Sequence, residues 1–253
     1  MPTPTLLDLY QSASKHSQYQ VLPASLEKLL PGDQITVKSR HETARLAYIA
    51  SKVSVCGLRV ADVGGNTGFF SFELLDRGAT RVDYYEGNKP HHDFVRAAAH
   101  QLGLNDRLHT FNRYVTFTHD ELAGVDCTLL LNVLHHLGDD FGDAQLNKDA
   151  AKQNILACLA ALSRQTGTLV FQLGFNWKGD RHQPLFAHGT KAELIDFVTQ
   201  GTAADWTIES IGVAEKSGDA ITFHELNRIN LERSDALGEF LNRPLFIMHS
   251  KHV

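Results

Sequence analysis

The chain has 253 residues, of which 43% are hydrophobic and 21% charged, and a formal net charge of -5. That length holds one large α/β domain, or one domain with an appendage, and buries a core without disulfides or metals. The acidic balance argues against general attraction to nucleic acid or to an anionic membrane.

Residues 5–30 read as a broken helical region, "TLLDLYQSASKHSQYQVL" then Pro23 and "ASLEKLL", stopped by Pro31-Gly32. We take residues 1–37 as an N-terminal helical cap on a main domain of residues 38–253. The stretch 38–53 places Leu46, Ile49, Ala50 and Val53 on one helical face. Strands and helices then alternate. "GLRVADVG" is a buried strand, "GFFSFELLDRG" a helix, "TRVDYYEG" a second strand, and "PHHDFVRAAAHQLGL" a helix with Pro90 in its first turn. "RLHTFNRYV" and "VDCTLLLNVL" follow as strands, then a long helix over residues 143–167, the strand "TLVFQLGF" and a helix near "TKAELIDFVTQG". "DWTIESIGVAE" and "RPLFIMHSK" are two late strands separated by an excursion over residues 216–241. This order predicts a doubly wound, mostly parallel α/β sheet of seven strands with an antiparallel edge hairpin.

The start, "MPTPTLLDLYQ", is unlike a signal peptide. No stretch approaches the ~20 apolar residues of a membrane span, so a cytoplasmic location is the expectation. Cys56, Cys127 and Cys158 lack CxxC spacing and sit among apolar residues, which reads as buried free thiols.

Between the first strand and its helix lies D-V-G-G-N-T-G, with Asp62 followed by Gly64, Gly65, Asn66 and Gly68. In a doubly wound sheet ligands bind outside the carboxyl ends of the strands. There a glycine turn admits a ligand to the backbone, and a helix N-terminus offers N–H groups. A tight strand–helix turn with no ligand is the plainer alternative. The second strand ends in Glu86, 24 residues after Asp62, an offset at which an acid can accept both hydroxyls of a ribose. A nicotinamide enzyme would show the same acid but G-x-G-x-x-G glycines, which are missing here.

The turn resembles the first motif of class I S-adenosylmethionine-dependent methyltransferases, D/E-x-G-x-x-x-G. "NVLHHL" and "NRPLFIMHSK" are also similar to that superfamily. "GGNTGFFSFELLDRGA" most resembles the branch that holds tRNA wobble-uridine methyltransferases and their small-molecule relatives, with G-x-N-x-G-[FY]-[FY]-S. The resemblance implies S-adenosylmethionine as cofactor, with Gly64, Gly65 and Gly68 near its methionine portion, Asn66 and Phe69 also among the cofactor-binding residues, and Asp62 holding the turn. It places Glu86 on the ribose, Gly87 and Asn88 beside the adenine, and Asn132 near the sulfonium and methyl group. After the third strand the family's acid is missing, and either Asn112, through its side-chain oxygen, or the backbone substitutes for the adenine contact. Arg40 is either a partner of the cofactor carboxylate or a solvated surface residue.

His135 and His136 follow the fourth strand directly, and an imidazole with an ordinary pKa of about 6.5 suits a general base. The alternative is that one packs against the next helix and the other is exposed. Asp139, Asp140 and Asp143 beside them raise a metal reading, but the i, i+4 His pair and Cys ligands of a zinc site are absent, and Asp140 and Asp143 suit a helix cap. No metal is expected. Gln172, Asn176 and Trp177 at the end of the fifth strand serve either an acceptor or the core. The expected activity is methyl transfer to an O or N atom of a small-molecule acceptor. Its rivals are a tRNA-modifying enzyme, which needs a basic face, and a silent cofactor-binding partner subunit.

Overall fold

The computed structural model describes residues 4–12, 20–30, 35, 37, 39–118 and 120–253. Among them eight strands build a mostly parallel sheet with an antiparallel edge, flanked by helices. The chain divides into two compact units, residues 1–46 with 54–115, and residues 47–53 with 116–253. The expected Pro31-Gly32 stop lies outside the described residues.

In the first unit, α1 (Leu6–Gln11) opens with a capping box between Thr5 and Asp8 and buries Leu6 and Tyr10. A single turn, α2 (Ala24–Glu27), follows, and α3 (Glu42–Lys52) carries residues of both units. β1 (Arg59–Val63) and β2 (Arg81–Tyr85) pair in parallel, and each has four consecutive buried residues. Such runs suit a parallel sheet covered on both faces. α4 (Phe69–Asp76), between them, buries six of its eight residues, so its two phenylalanine-rich faces are both core. Asn88 caps α5 (Lys89–Gln101), Pro90 sits in its first turn as expected, and β3 (Leu108–Phe111) lies parallel to β2. The order here is β3-β2-β1. α1 packs on α5 through the Tyr10 and Phe94 rings, whose centroids are 5.4 Å apart.

In the second unit, β4 (Val125–Leu131) and β5 (Thr166–Gln172) are parallel and joined through α6 (Lys148–Leu162). α6 starts five residues later than the sequence suggests, because Asn147, not Asp140 or Asp143, accepts the capping bond from the Ala150 amide at 2.9 Å. α7 (Lys191–Thr202) leads to β6 (Trp206–Ser217), which turns through Gly218-Asp219 into β7 (Ala220–Glu225). β7 corrects the seven-stranded expectation to eight, and the excursion at 216–241 opens with the end of β6 and with β7. Its outward polar positions hide a strand whose only large apolar residues are Ile221 and Phe223. After the one-turn α8 (Gly238–Leu241), β8 (Leu245–Ser250) enters antiparallel between β5 and β6, giving β4-β5-β8-β6-β7. The last two expected strands therefore do pair, with β7 outside them.

Cys127 is buried and its thiol is pushed up to about 12 by desolvation. Cys56 is exposed, which corrects the expectation of three buried thiols; it lies in the turn before β1, where Gly57 and Gly78 close the backbone.

Candidate active site

β1 delivers Asp62 to the base of the glycine turn, 3% exposed, where it accepts a 2.7 Å hydrogen bond from the Ser71 hydroxyl of α4. Burial pushes its carboxyl up to about 6 against the lowering effect of Ser71. The turn's own amides are spent inside the protein. Gly64 and Gly65 both donate to the Tyr85 carbonyl (2.8 and 3.3 Å), and Gly68 donates to the Gly65 carbonyl at 2.9 Å. Asn66 donates to Glu86 Oε2 (2.9 Å), Thr67 to Asn66 Oδ1 (2.8 Å) and Phe69 to Gln20 Oε1 (3.3 Å). The expectation of N–H groups offered to a ligand is thus not met in this segment. What the glycines supply is room: a Cβ at Gly65 would stand 2.5 Å from the Tyr84 ring and 2.8 Å from Asp62.

Glu86, 9% exposed, holds the turn to the start of α5: Oε2 accepts from Asn66 and Oε1 accepts from the Asn88 amide at 2.7 Å. The Tyr84 hydroxyl donates to the Asn66 carbonyl, so the Asn66 residue is gripped on both sides, with its φ at 53°. Asn112 Nδ2 donates to the Glu86 carbonyl (2.9 Å) and the Gly87 carbonyl (3.3 Å), which orients its amide oxygen away from them. Gly87 is overlaid by the Tyr114 ring, which leaves no space for a side chain there. Asp62, Gly64, Gly65, Asn66, Gly68, Glu86, Gly87, Asn88 and Asn112 therefore form one connected group. Phe69 joins it only by its backbone, its ring being 3% exposed and edge-on to Phe70 at 5.2 Å. Arg40 is half-buried, its amide donating to Glu42. The buried basic group of that region is instead Arg45, 3.3 Å from Glu42 and 5.3 Å from the Phe70 ring centre.

The group fits the ribose of S-adenosylmethionine on donor chemistry. An ionised carboxylate accepts about four hydrogen bonds, so Glu86 can serve two backbone amides and a diol together.

In the second unit Asn132 directly follows β4 in a left-handed conformation, φ 62°. Its amide N donates to the Gln172 carbonyl and its Nδ2 to Gln172 Oε1, both at 2.8 Å. Arg243 Nη1 donates to Asn132 Oδ1 at 2.8 Å, and Gln172 Nε2 donates to the Arg243 carbonyl at 2.9 Å, closing a ring of contacts. Glu239 in turn clamps Arg243, accepting from Nε at 3.1 Å and Nη2 at 2.5 Å, and also accepts from the Phe175 amide. Gln172, an alternative acceptor contact from the sequence, is fully buried in this network.

His135 and His136 lie in a single 3-10 turn after β4, with ring centroids 4.3 Å apart. His135 is 2% exposed, and its Nδ1 accepts from the Gly174 amide at 3.3 Å. His136 Nδ1 lies 3.4 Å from Asp140 Oδ2 and 3.9 Å from Asp139 Oδ2. Those three residues are the one group of potential metal ligands found among the described residues, their ligand atoms within 4.8 Å of one another. Trp177 is core, its indole N–H donating to the Leu137 carbonyl at 2.7 Å.

Sequence reasoning missed Tyr84, Tyr114, Gln20, Arg243 and Glu239. Only "NRPLFIMHSK" carried a hint of one of them, Arg243, because it marks the segment as distinctive. Among the described residues no helix is long and apolar enough to cross a membrane.

No family profile matches the chain and no curated protein matches it in sequence. Solved structures do. The bifunctional kinase-methyltransferase WbdD aligns over 96% of this chain at 15% identity with a TM-score of 0.60. A second WbdD structure, with its C-terminal bundle ordered, aligns over 95% at 17% identity with a TM-score of 0.58. This chain spans 46% and 40% of those two chains, less than half of each. At these identities the likeness establishes the fold alone.

Proposed function

We propose that this protein transfers a methyl group from S-adenosylmethionine to an O or N atom of a small-molecule acceptor. The observation that carries the reading is the placement of Glu86. It is a nearly buried carboxylate at the carboxyl end of β2, bonded at once to the glycine turn and to the N-cap of α5. In a parallel sheet that is where a ligand's diol is bound.

When bound, S-adenosylmethionine supplies an electrophilic methyl group together with its leaving group. The chain's own residues do the rest. Glu86 accepts from the ribose hydroxyls, while Gly87, Asn88 and Asn112 border the adenine. Asp62, Gly64, Gly65, Asn66, Gly68 and the Phe69 backbone shape the turn near the methionine portion, and Arg40 is the candidate partner of its carboxylate. Asn132 is assigned to the sulfonium and methyl group, and His135 or His136 to removal of the acceptor's proton. Residues 1–37 act as a cap on a main domain of residues 38–253; the Tyr10–Phe94 contact and the Gln20 bond to Phe69 support that role.

A tRNA acceptor is the second reading, disfavoured by the net charge of -5. The assay is transfer of labelled methyl from S-adenosylmethionine into a small-molecule cell extract and, separately, into bulk tRNA. Label in the extract alone supports the reading. Label in tRNA alone replaces it with the second, and no label in either favours a silent binding subunit.

A further inference from the structure

Alternation along the strands sorts β1, β2 and β3 into two unlike faces. Val60, Val82, Tyr84 and Leu108 point to one side, each at most 3% exposed, and α4 and α5 pack there. On the other side the register sets Arg59 beside Arg81, Asp83 beside His109 and Tyr85 beside Phe111. Asp83 and Tyr85 are buried, but the groups set against them are side chains of the neighbouring strands. Arg59 donates to Asp83 Oδ2 from Nε (3.0 Å) and Nη2 (2.8 Å), and Arg81 Nε donates to Oδ1 at 2.6 Å. His109 Nδ1 lies 3.8 Å from the same Oδ1. Phe111 stacks on Tyr85 with ring centroids 4.7 Å apart, and the Arg113 guanidinium lies 5.4 Å from the Tyr85 ring centre.

This second face is open and cationic. The Arg59, Arg81 and His109 side chains are 34%, 33% and 35% exposed, and Arg113 is exposed. The connection after β3 forms no helix among the described residues. Three guanidiniums and an imidazole surround one carboxylate, so positive charge is in excess even with His109 neutral. Of the Arg81 donors, only Nε is taken by a described residue. The net charge hides this face. The first unit carries twelve Lys and Arg against eleven Asp and Glu, the second twelve against eighteen.

A surface that already holds one carboxylate between two guanidiniums has the fork geometry to hold more. β3 is also the outermost strand, so an extended chain can lie along it. A nucleic-acid strand fits less well. Base stacking needs open ring faces, whereas Tyr85 is 3% exposed with Phe111 and Arg113 against it. A net charge of -5 also repels a long polyanion more than a short acidic segment.

We propose that the open face of β1, β2 and β3 docks an extended, Asp- and Glu-rich segment of a partner protein, with its carboxylates on Arg59, Arg81 and Arg113 and its apolar side chains on Phe111. The surface shares no side chain with the residues assigned to cofactor and acceptor, and its role goes beyond the activity proposed above.

The probe is a fluorescein-labelled octapeptide of alternating Glu and Leu, titrated with the intact protein and followed by anisotropy. An alternating Ser and Leu octapeptide and a single-stranded RNA octanucleotide, both labelled, are run beside it. Saturable binding of the Glu peptide alone is expected, weakening as salt is raised. Arg81→Gln and Arg113→Gln should each weaken it roughly two- to fivefold, the range for exposed ion pairs. Both variants leave Arg59 on Asp83, and thermal midpoints report whether each is folded. Arg81→Lys should lose less than Arg81→Gln, and Arg181→Gln in the second unit should change nothing. No saturable binding of the Glu peptide at low salt, equal binding of both peptides, or binding indifferent to Arg81 and Arg113 overturns the proposal. RNA binding tighter than that of the Glu peptide, and weakened by the same variants, overturns it in favour of a nucleic acid. A dimer in solution that those variants break overturns it in favour of a second copy of this chain.

Discussion

Asp62 and Ser71 join the end of β1 to the first turn of α4 through a 2.7 Å hydrogen bond in a site closed to water. Desolvation outweighs that bond and holds the carboxyl at about 6. A raised folded value means the native state takes up a proton that the unfolded chain, at about 3.9, has already released. The stabilisation from this group is therefore present at low pH and lost as pH rises through about 6.

Asp62→Asn keeps an oxygen for Ser71 and removes the charge. We expect it to be more stable than wild type at about pH 7, by up to ~3 kcal/mol for a gap of about two units, and to match it near pH 4. Denaturant unfolding at both pH values measures this. A variant less stable than wild type at neutral pH would show that the ionised carboxylate has a favourable partner.

Glu86→Ala should weaken S-adenosylhomocysteine binding by about 1.5–3 kcal/mol, the range for hydrogen bonds to a charged group. Because Glu86 also holds the Asn66 and Asn88 amides, Glu86→Gln, which keeps one acceptor oxygen, should fall between the two. Equal affinity in all three folded proteins would misplace the ribose.

Gly174→Ala forces a methyl group against the His135 imidazole. Overpacking of this kind costs typically 1–3 kcal/mol, so a lowered thermal midpoint and a displaced His135 resonance are expected. Wild-type stability would mean that the ring has room to move.

The sheet's first half was legible because β1 and β2 are short, mostly apolar runs followed closely by glycines, and Asn88-Lys89-Pro90 is a helix start written in three residues. β7 was not, since alternating exposed polar residues on an edge strand look like a loop, and the Gly218-Asp219 hairpin turn was its only local sign. Glu86 was identified from its place at a strand end, but its grip on Asn66 spans 20 residues and has no local signature. The Arg243–Asn132 bond spans 111 residues, beyond the reach of any periodicity. The satisfied amides of Gly64, Gly65, Asn66 and Phe69 were hidden for the same reason, as their acceptors are Tyr85, Glu86 and Gln20.

Arg243 and Glu239 should be energetically coupled. Removing one partner leaves the other charge poorly compensated in a largely buried site. In a cycle of Arg243→Met, Glu239→Ala and the double variant, we expect the double to cost less than the sum by roughly 0.5–3 kcal/mol. Strict additivity would reduce the clamp to two independent surface contacts.

The most direct measurement of the central claim is calorimetric titration of the protein with S-adenosylmethionine, S-adenosylhomocysteine and NAD. The acid–glycine–glycine spacing at Asp62, Gly64 and Gly68, with Glu86 beyond it, predicts saturable binding of the first two and none of NAD. Tight NAD binding with no response to the other two would contradict the account.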